Sequence, residues 1–360
     1  MVPRTVAWIL ALVVALGAPA LLPASTYAEG PGEPTTLEVS WPGATVRQGR
    51  AYVVSGSVSG GPRPVLVQRR VPGGWFPLGR DQAGGDGRLS IRVARHGSIR
   101  VWAPPTDLAE EAVATRTGGL TVTRSHRPRG GSAWRPLRAG DARAMRWSPC
   151  GYRPGVITYR VNHRGLPRGG LAEVKRAFAQ LTAATGFTFR YLGRTTLVPL
   201  RNGSGTISRN ADITIAYSTP RQVPALRGPV LATTPTAAGF AGTSTYRILQ
   251  AATVLDRTAG LRPGFGGGRR ASRGKTLLHE LGHQVGLAHV GDRRQVMYPS
   301  PTTFSAQYAR GDLKGLAKVG VGAGCFPGEA VGGRRAAGGG DGRAGDGADD
   351  PVKITGRPVK

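Results

Sequence analysis

The stretch HELGHQVGLAH, residues 279–289, contains three of the chain's six histidines and one glutamate. Residues four apart on a helix lie on one face, so His279 and His283 can bind the same metal ion. If the helix continued, His289 would point elsewhere, about 240° around the axis from His283. Gly286 lies between them, and glycine readily adopts the left-handed conformation that ends helices. The spacing therefore predicts a helix, a break at Gly286 and the return of His289 to the same ion.

The same helix also has an apolar face. Leu277, Leu281 and Val285 recur at helical spacing, so one side can pack into a core while the other lines a cleft. Glu280 follows the first histidine and can reach a metal-bound water without being a ligand. Zinc held by three neutral imidazoles keeps one position open, and a water there is acidic enough to be a nucleophile near neutral pH. We expect Glu280 to act as the general base and then to protonate the leaving amine.

The full pattern H-E-x-x-H-x-x-G-x-x-H, followed by Met297 in QVMYPSP, resembles the metzincin zinc peptidases. The Met-Tyr-Pro sequence is similar to that of their matrixin branch, the matrix metalloproteinase type, here in a secreted bacterial form. The resemblance covers residues 150–325, about half of the chain. Within it, ITYRVN, ADITIAYS and GDLKGLAKVG are similar to that family's first strand, middle strand and last helix.

The resemblance implies a role for each matching residue. His279, His283 and His289 would bind one catalytic Zn²⁺, Glu280 would be the base, and Met297 would form a hydrophobic floor below the metal. The segment GPVLATT is similar to the edge strand that pairs with extended substrate through the backbone around two residues, Leu231 and Ala232. The pocket for the residue after the scissile bond would be walled by Tyr298, Pro299, Ser300 and Pro301.

Two departures from the family affect the expected metal content and the placement of the chain. Matrixins often bind a second, structural zinc through further histidines, but only His96, His126 and His163 remain here, so we expect one zinc. Val290 stands where the family often has a polar residue, which leaves the subfamily open. The resemblance also allows structural Ca²⁺, for which the sequence singles out no residues.

The only two cysteines, Cys150 and Cys325, bracket the segment that resembles a peptidase. Two cysteines in an exported chain most simply form one disulfide. The alternative is that Cys150, in the sequence PCG, is similar to the matrixin cysteine switch and masks the metal as a thiolate. Only eight residues separate it from Thr158 in the first predicted strand, which leaves little chain to reach the cleft. We favour the disulfide.

Residues 1–28 have the pattern of a signal peptide. Arg4 precedes the apolar run 6–18, and small residues follow that are suited to cleavage near Ala20 or Ala28. An uncleaved segment that anchors the chain at the cell surface is the alternative. We expect export, with the mature protein secreted.

The remaining sequence divides by composition. Residues 35–124 contain short alternating runs between Gly, Pro and Asp clusters, which predicts an all-β sandwich of the immunoglobulin or fibronectin type, with Trp41, Trp75 and Trp102 as core residues. Residues 125–144 are basic and rich in Gly and Pro, which predicts a protease-sensitive linker.

Beyond the linker, residues 145–326 alternate between strand and helix patterns. They predict an α+β domain with a mixed twisted sheet and three helices. Residues 327–360 have few apolar residues to bury, so we expect a disordered tail.

The formal net charge is +29. A field of that sign attracts nucleic acid, anionic lipid and acidic polymers. The arginines are scattered and no nucleic-acid reader motif is present, so we exclude specific nucleic-acid recognition. We expect a monomer that acts on polypeptide, with a basic surface suited to an anionic cell-wall polymer or a membrane surface.

Two functions compete with the secreted zinc endopeptidase. The first is a cell-wall peptide amidase, because the motif defines amide hydrolysis better than it defines the substrate. The second is a non-catalytic cell-surface binding protein in which the zinc site is vestigial. The presence of Glu280 argues against the second function, because a structural zinc site needs no base.

Overall fold

The computed structural model of the protein describes residues 36–329 and 352–355. Within the first range it leaves out residues 48–49, 60–62, 72–73, 82–85, 93–96, 106–112, 117–119, 124–125, 151–152, 242–243, 267–270 and 305. The predicted signal segment, residues 1–28, lies outside the described residues. Among the described residues, no helix is long and apolar enough to span a membrane.

All the described elements between residues 36 and 123 are strands, as the alternating patterns predict. The segment contains β1 (Leu37–Ser40), β2 (Thr45–Arg47), β3 (Ala51–Val58), β4 (Val65–Val71), β5 (Gly74–Asp81), β6 (Asp86–Arg92), β7 (Ile99–Ala103), β8 (Val113–Arg116) and β9 (Thr121–Thr123). The sheets β1-β3-β6 and β5-β4-β7-β8 are antiparallel, and β2 pairs with β9 in parallel. They share a core rich in valine. The immunoglobulin or fibronectin type stays a prediction.

The tryptophans of this β-domain do not form its core. Trp41 is only partly buried against it. The guanidinium of Arg100 lies 4.5 Å from the ring centroid of Trp75 and 5.6 Å from that of Trp102. Both rings are partly exposed. The expectation that the tryptophans supply core mass is therefore wrong for Trp75 and Trp102, which stack on a cation, whereas Trp41 packs against the core from its margin.

The rest of the chain has the predicted α+β composition, with three helices. Its strands are β10 (Ala144–Arg146), β11 (Val156–Asn162), β12 (Thr188–Thr195), β13 (Ile213–Ser218), β14 (Ala232–Thr233), β15 (Pro235–Gly239), β16 (Thr245–Asp256) and β17 (Val352–Thr355), and its α-helices are α1 (Gly170–Thr185), α2 (Arg273–Gln284) and α3 (Arg310–Val319).

These eight strands form one mixed sheet in the order β12-β11-β13-β16-β15-β17, with β10 and β14 also paired to β16. The pairs β11/β12, β11/β13, β13/β16 and β10/β16 are parallel. Strands β14 and β15 run antiparallel to β16. Every residue of β13 is buried, as expected for a central strand covered on both faces.

Helices α1 and α2 pack against each other and share a core with the sheet. In α1, Val174, Phe178 and Leu181 are buried at helical spacing, and Phe178 stacks on Tyr159 of β11 with ring centroids 4.0 Å apart. Gly186 ends the helix in the left-handed conformation, at φ 82°. The apolar face of α2 therefore packs on α1 and the sheet, and this packing fixes the direction in which the opposite face of α2 points.

The predicted linker is bound to this α+β part from residue 126 onward. Its backbone forms hydrogen bonds with the turn after α2 and with the start of α3, namely Leu137 N to Gly286 O at 2.7 Å, Ala288 N to Arg135 O at 2.9 Å and Arg310 N to Arg129 O at 2.9 Å. Trp134 is half-buried against the main core, next to Gly315 of α3. The prediction of a linker fails here, because irregular backbone bonded to distant backbone leaves no periodic pattern in the sequence.

The predicted disordered tail contributes one strand. β17 pairs antiparallel with β15, from Pro235 opposite Thr355 to Ala238 opposite Val352. The tail prediction is wrong for these four residues. The sequence VKIT is β-prone, and the outer edge of β15 offers it unpaired backbone groups.

Cys150 and Cys325 form a disulfide, with their Cα atoms 5.4 Å apart and 175 residues apart in sequence. The bond confirms the predicted pairing. It leaves neither sulfur as a free thiolate, so the cysteine-switch alternative is wrong.

We predict that the double variant Cys150→Ser/Cys325→Ser unfolds at a lower temperature than the wild type. A closed loop of this length accounts for at most about 5 kcal/mol by the loop-entropy model. Thermal unfolding measures the difference. Alkylation of unreduced, denatured wild type at Cys150 would contradict the bond.

Candidate metal centre

The predicted metal-binding residues lie on α2 and on the segment that follows it. Ser272 caps the helix by accepting a hydrogen bond from the backbone N–H of Lys275. The helix ends at Gln284, and Gly286 has φ 104°. Leu287 N then donates to Gly282 O at 2.9 Å, which closes the turn. This is the predicted break.

The turn at Gly286 is crowded as well as left-handed. A Cβ atom at Gly286 would overlap the backbone oxygen of Met145, which lies in β10. Leu137, in the bound segment described above, donates to Gly286 O. Both the conformation and the lack of space therefore require glycine at this position.

The three histidines converge as predicted. The Nε2 atom of His279 lies 3.0 Å from that of His289 and 3.1 Å from that of His283, and the third separation, His283 to His289, is also 3.1 Å. His279 and His283 are buried and His289 is partly exposed. Nitrogens bound at 2.0–2.1 Å to a tetrahedral zinc are about 3.3 Å apart, so the spacing fits that ion.

Hydrogen bonds to the other ring nitrogens define which atoms face the metal. His279 Nδ1 lies 2.7 Å from Val296 O, and His283 Nδ1 lies 2.7 Å from Leu287 O. A carbonyl only accepts, so both protons are on Nδ1 and both Nε2 atoms present lone pairs. The Nε2 atoms of these two histidines therefore cannot hydrogen bond to each other, and a cation between them would remove their repulsion.

Burial keeps His279 and His283 neutral. It lowers the pKa of His279 well below the ordinary value, with a further lowering from His283 and His289. It also lowers the pKa of His283 to about 3, and His289 adds to the effect. Neutral imidazole is the form that binds metal, so the site needs little deprotonation at neutral pH.

Met297 packs against the helix that carries His279 and His283. The sulfur of Met297 lies against Gly282 in the middle of α2, and a Cβ atom at Gly282 would overlap that sulfur. Met297 is 1% exposed and its backbone oxygen accepts a hydrogen bond from Val290 N at 3.0 Å. The turn that holds Met297 is thus tied to the residue that follows His289. The role of Met297 as a floor below a metal stays a prediction.

Asp312 of α3 holds the same turn and was not singled out by the sequence. Its carboxylate accepts backbone hydrogen bonds from Val296 at 2.8 Å, Met297 at 3.2 Å and Ala309 at 2.8 Å. Burial raises its pKa to about 6 despite these donors, so the group is ionised at neutral pH. Because Val296 O also accepts from His279, Asp312 supports a zinc ligand through the backbone.

Glu280 is 1% exposed and faces the sheet edge. Thr234 Oγ1 donates to its Oε2 at 2.5 Å, while Oε1 is buried without a hydrogen-bond partner. Burial raises the pKa of Glu280 to about 7, and the Thr234 bond opposes that shift. A pKa near the working pH suits a group that both accepts and returns a proton.

The predicted substrate-pocket residues are placed as follows. Tyr298 and Pro299 are half-buried directly after Met297, whereas Ser300 and Pro301 are exposed. Ala232 is buried in β14, and Leu231 precedes the strand with its carbonyl accepting from Asp256 N at 2.9 Å. Strand β14 has β16 on one side, and no other described strand pairs with it.

Sequence reasoning missed three further polar residues besides Asp312. Thr234, Thr253 and Gln284 are buried and hydrogen-bonded next to Glu280. Gln284 lies one helical turn after Glu280, which is a visible signal, but nothing local in the sequence links Thr253 to the site.

No protein-family profile matches the chain, and no curated protein matches it. Among solved structures, one similar chain comes from work on T cell specificity and activation by the bacterial superantigen toxic shock syndrome toxin-1. It is 10% identical with a TM-score of 0.19, covering 25% of this chain and 99% of that chain. A marsupial T cell receptor is 16% identical with a TM-score of 0.19, covering 29% of this chain and 38% of that chain. At these TM-scores neither likeness establishes a shared fold.

We predict that Gly286→Ala destabilises the protein by at least about 2 kcal/mol and lowers its zinc content. Alanine is strained at this backbone conformation, and its Cβ would overlap Met145 O. The matched control is Gly228→Ala, since Gly228 has φ 76° but open space around it. That variant should lose about 1 kcal/mol and keep its zinc. Thermal unfolding and metal analysis measure both; equal zinc content in the two variants would refute the role of the turn.

We predict that Asp312→Asn costs about 1–3 kcal/mol of unfolding free energy, because the amide must turn an N–H₂ group toward a backbone donor. Denaturant unfolding measures the loss. Asp141→Asn is the control at an exposed carboxylate, where a change within about 0.5 kcal/mol is expected. A loss no larger than the control's would contradict the role of Asp312.

Proposed function

We propose that the protein is a secreted, matrixin-like zinc endopeptidase. The observation that carries this proposal is the group of three Nε2 atoms at 3.0–3.1 Å with Glu280 on the same helix. Sequence motif and geometry agree on the same ligand set. The left-handed turn at Gly286 and the packing of Met297 against Gly282 of α2 support the proposal.

His279, His283 and His289 would hold the ion. When bound, zinc supplies a Lewis acid that polarises a carbonyl and makes water acidic. Glu280 takes the proton of the attacking water on its carboxylate and returns it to the amine nitrogen of the leaving peptide. Because the carboxylate is almost wholly buried, its basicity is higher than in water, which favours this transfer.

An extended peptide would lie along β14. The antiparallel pairing of β14 with β16 occupies one side of its backbone, and the other side can pair with a further strand. Tyr298 to Pro301 follow the methionine turn and would line the pocket for one substrate side chain. Strand pairing binds the substrate through main-chain hydrogen bonds, so it suits polypeptides of varied sequence.

The cell-wall amidase shares this chemistry and differs only in the substrate. The binding protein with a vestigial site differs in chemistry, and the buried environment of Glu280 opposes it. Keeping an ionisable side chain buried beside three imidazoles is costly unless the carboxylate has a use. The basic surface and the β-domain would place the enzyme near an anionic cell-wall polymer or membrane surface.

We predict that Glu280→Gln abolishes most cleavage of a mixed fluorogenic peptide library, by about 10²–10⁴-fold, while one zinc per chain is retained. His289→Ala should lose both zinc and activity, because two nitrogens hold the ion less tightly than three. His163→Ala, an exposed histidine bonded to Thr195 O, is the control and should match the wild type.

Cleavage by Glu280→Gln at the wild-type rate would refute the proposed mechanism. Zinc bound by a wild type that cleaves no peptide would favour the binding protein. Activity on peptidoglycan stem peptides but not on the library would favour the amidase.

A further inference from the structure

We propose that Thr234, Thr253 and Gln284 form a positioning chain that holds one oxygen of Glu280 and reserves the other for the proton in transit. This inference rests on the proposed function and goes beyond it. The three distances are 2.5 Å from Thr234 Oγ1 to Glu280 Oε2, 2.7 Å between the threonine hydroxyls and 2.9 Å from Gln284 Nε2 to Thr253 Oγ1. All four side chains are at most 1% exposed.

The direction of each hydrogen bond follows from the number of protons available. Thr234 Oγ1 donates its single hydroxyl proton to Glu280 Oε2. Thr253 must then donate its own proton to Thr234. The amide N–H₂ of Gln284 donates to Thr253 in turn. All three bonds therefore point toward Glu280, and such aligned chains polarise and strengthen one another.

These hydrogen bonds join the β14–β15 segment, strand β16 and helix α2. The register of β14 and β15 against β16 places Thr234 opposite Thr253, since 232 pairs with 255, 233 with 254 and 236 with 251. Pro235 has no N–H for the ladder, which interrupts the strand at that point. Gln284 lies four residues after Glu280, on the same face of α2. The edge that would bind substrate thus also holds the base.

The two carboxylate oxygens consequently differ. Oε2 is occupied by the Thr234 hydroxyl, whereas Oε1 is buried with no partner among the described residues. In the reaction a water O–H bond breaks as the Oε1–H bond forms, and the water oxygen bonds to the carbonyl carbon. The proton then passes from Oε1 to the nitrogen as the C–N bond breaks, which restores the carboxylate. Because the chain of hydrogen bonds occupies Oε2, Oε1 is the oxygen left to take up and return the proton.

The test compares Thr234→Val, which keeps the shape but removes the donor, with Thr234→Ser, which restores it. The matched control is Thr236→Val, because Thr236 is fully buried on β15 and its hydroxyl has no hydrogen-bond partner. We expect Thr234→Val to lower kcat on the peptide library by about 10–100-fold, with KM within about twofold and zinc content unchanged. Thr234→Ser should recover most of kcat, and Thr236→Val should match the wild type.

A second readout uses metal-free protein and needs no activity. Thr234→Val should lower the unfolding midpoint by about 5 °C in the wild type, from the loss of a bond to a charged group. In a Glu280→Leu background, where the hydroxyl has no carboxylate to bond, the same substitution should produce no such loss. Equal shifts in both backgrounds would show that Thr234 and Glu280 are not coupled.

The outcomes distinguish a failure of the positioning role from a failure of the proposed peptidase function. If Thr234→Val has a normal kcat while Glu280→Gln is inactive, the positioning role of Thr234 is refuted and the proposed peptidase function still stands. A low kcat in both Thr234→Val and Thr234→Ser would show a packing role and would also overturn it. If the wild type cleaves nothing, the proposed function fails, and the catalytic role of these hydrogen bonds fails with it. The unfolding measurement on metal-free protein still reports whether Thr234 and Glu280 are hydrogen-bonded.

Discussion

Mutual repulsion among imidazole lone pairs is the constraint on which this site depends. Two nitrogens that cannot share a proton lie about 3 Å apart, and an imidazole free to rotate would turn away from that arrangement. The protein prevents rotation by giving the opposite ring nitrogens of His279 and His283 buried carbonyls to donate to. Those carbonyls belong to Val296 and Leu287, so the site requires that two turns beyond the helix be rigid.

The rigidity of these turns comes from distant parts of the chain. Asp312 on α3 fixes the turn that includes Val296, and the segment before β10 fixes the turn that includes Leu287. Leu287 forms an isolated bridge with Pro136, and Trp147 donates to Gln284 O at 2.7 Å. Residues far apart in sequence therefore act on the orientation of two rings, which explains why so much ordered backbone surrounds one short helix.

The elements and the ligand set were predictable from the sequence because both have local signals. Helix α1 has a 3.6-residue period and a terminal glycine, and the three histidines have a spacing that only a broken helix can bring together. The segment 126–138 was not predictable, because its order comes from hydrogen bonds to Gly286 and other distant backbone groups. Thr253 was missed for the same reason. It pairs with Thr234 through strand register, which a single sequence does not reveal.

The placement of the tryptophans and of the tail strand shows a different limit. Aromatic residues in a β pattern usually add core mass, but Trp75 and Trp102 lie under Arg100, and the partner of an indole is not encoded nearby. The residues Val352–Thr355 are too few to define a strand alone. They become one only because β15 offers an edge.

The disulfide has a practical consequence for any preparation of this protein. It encloses nearly the whole α+β part, including α1, α2, α3 and the three histidines, within one covalent ring. A single cut anywhere inside that ring opens the chain but releases no fragment until the bond is reduced. Proteolytic cleavage within the ring would therefore release no fragment on a gel run without reductant, and a preparation that shows one band under those conditions can already be cleaved.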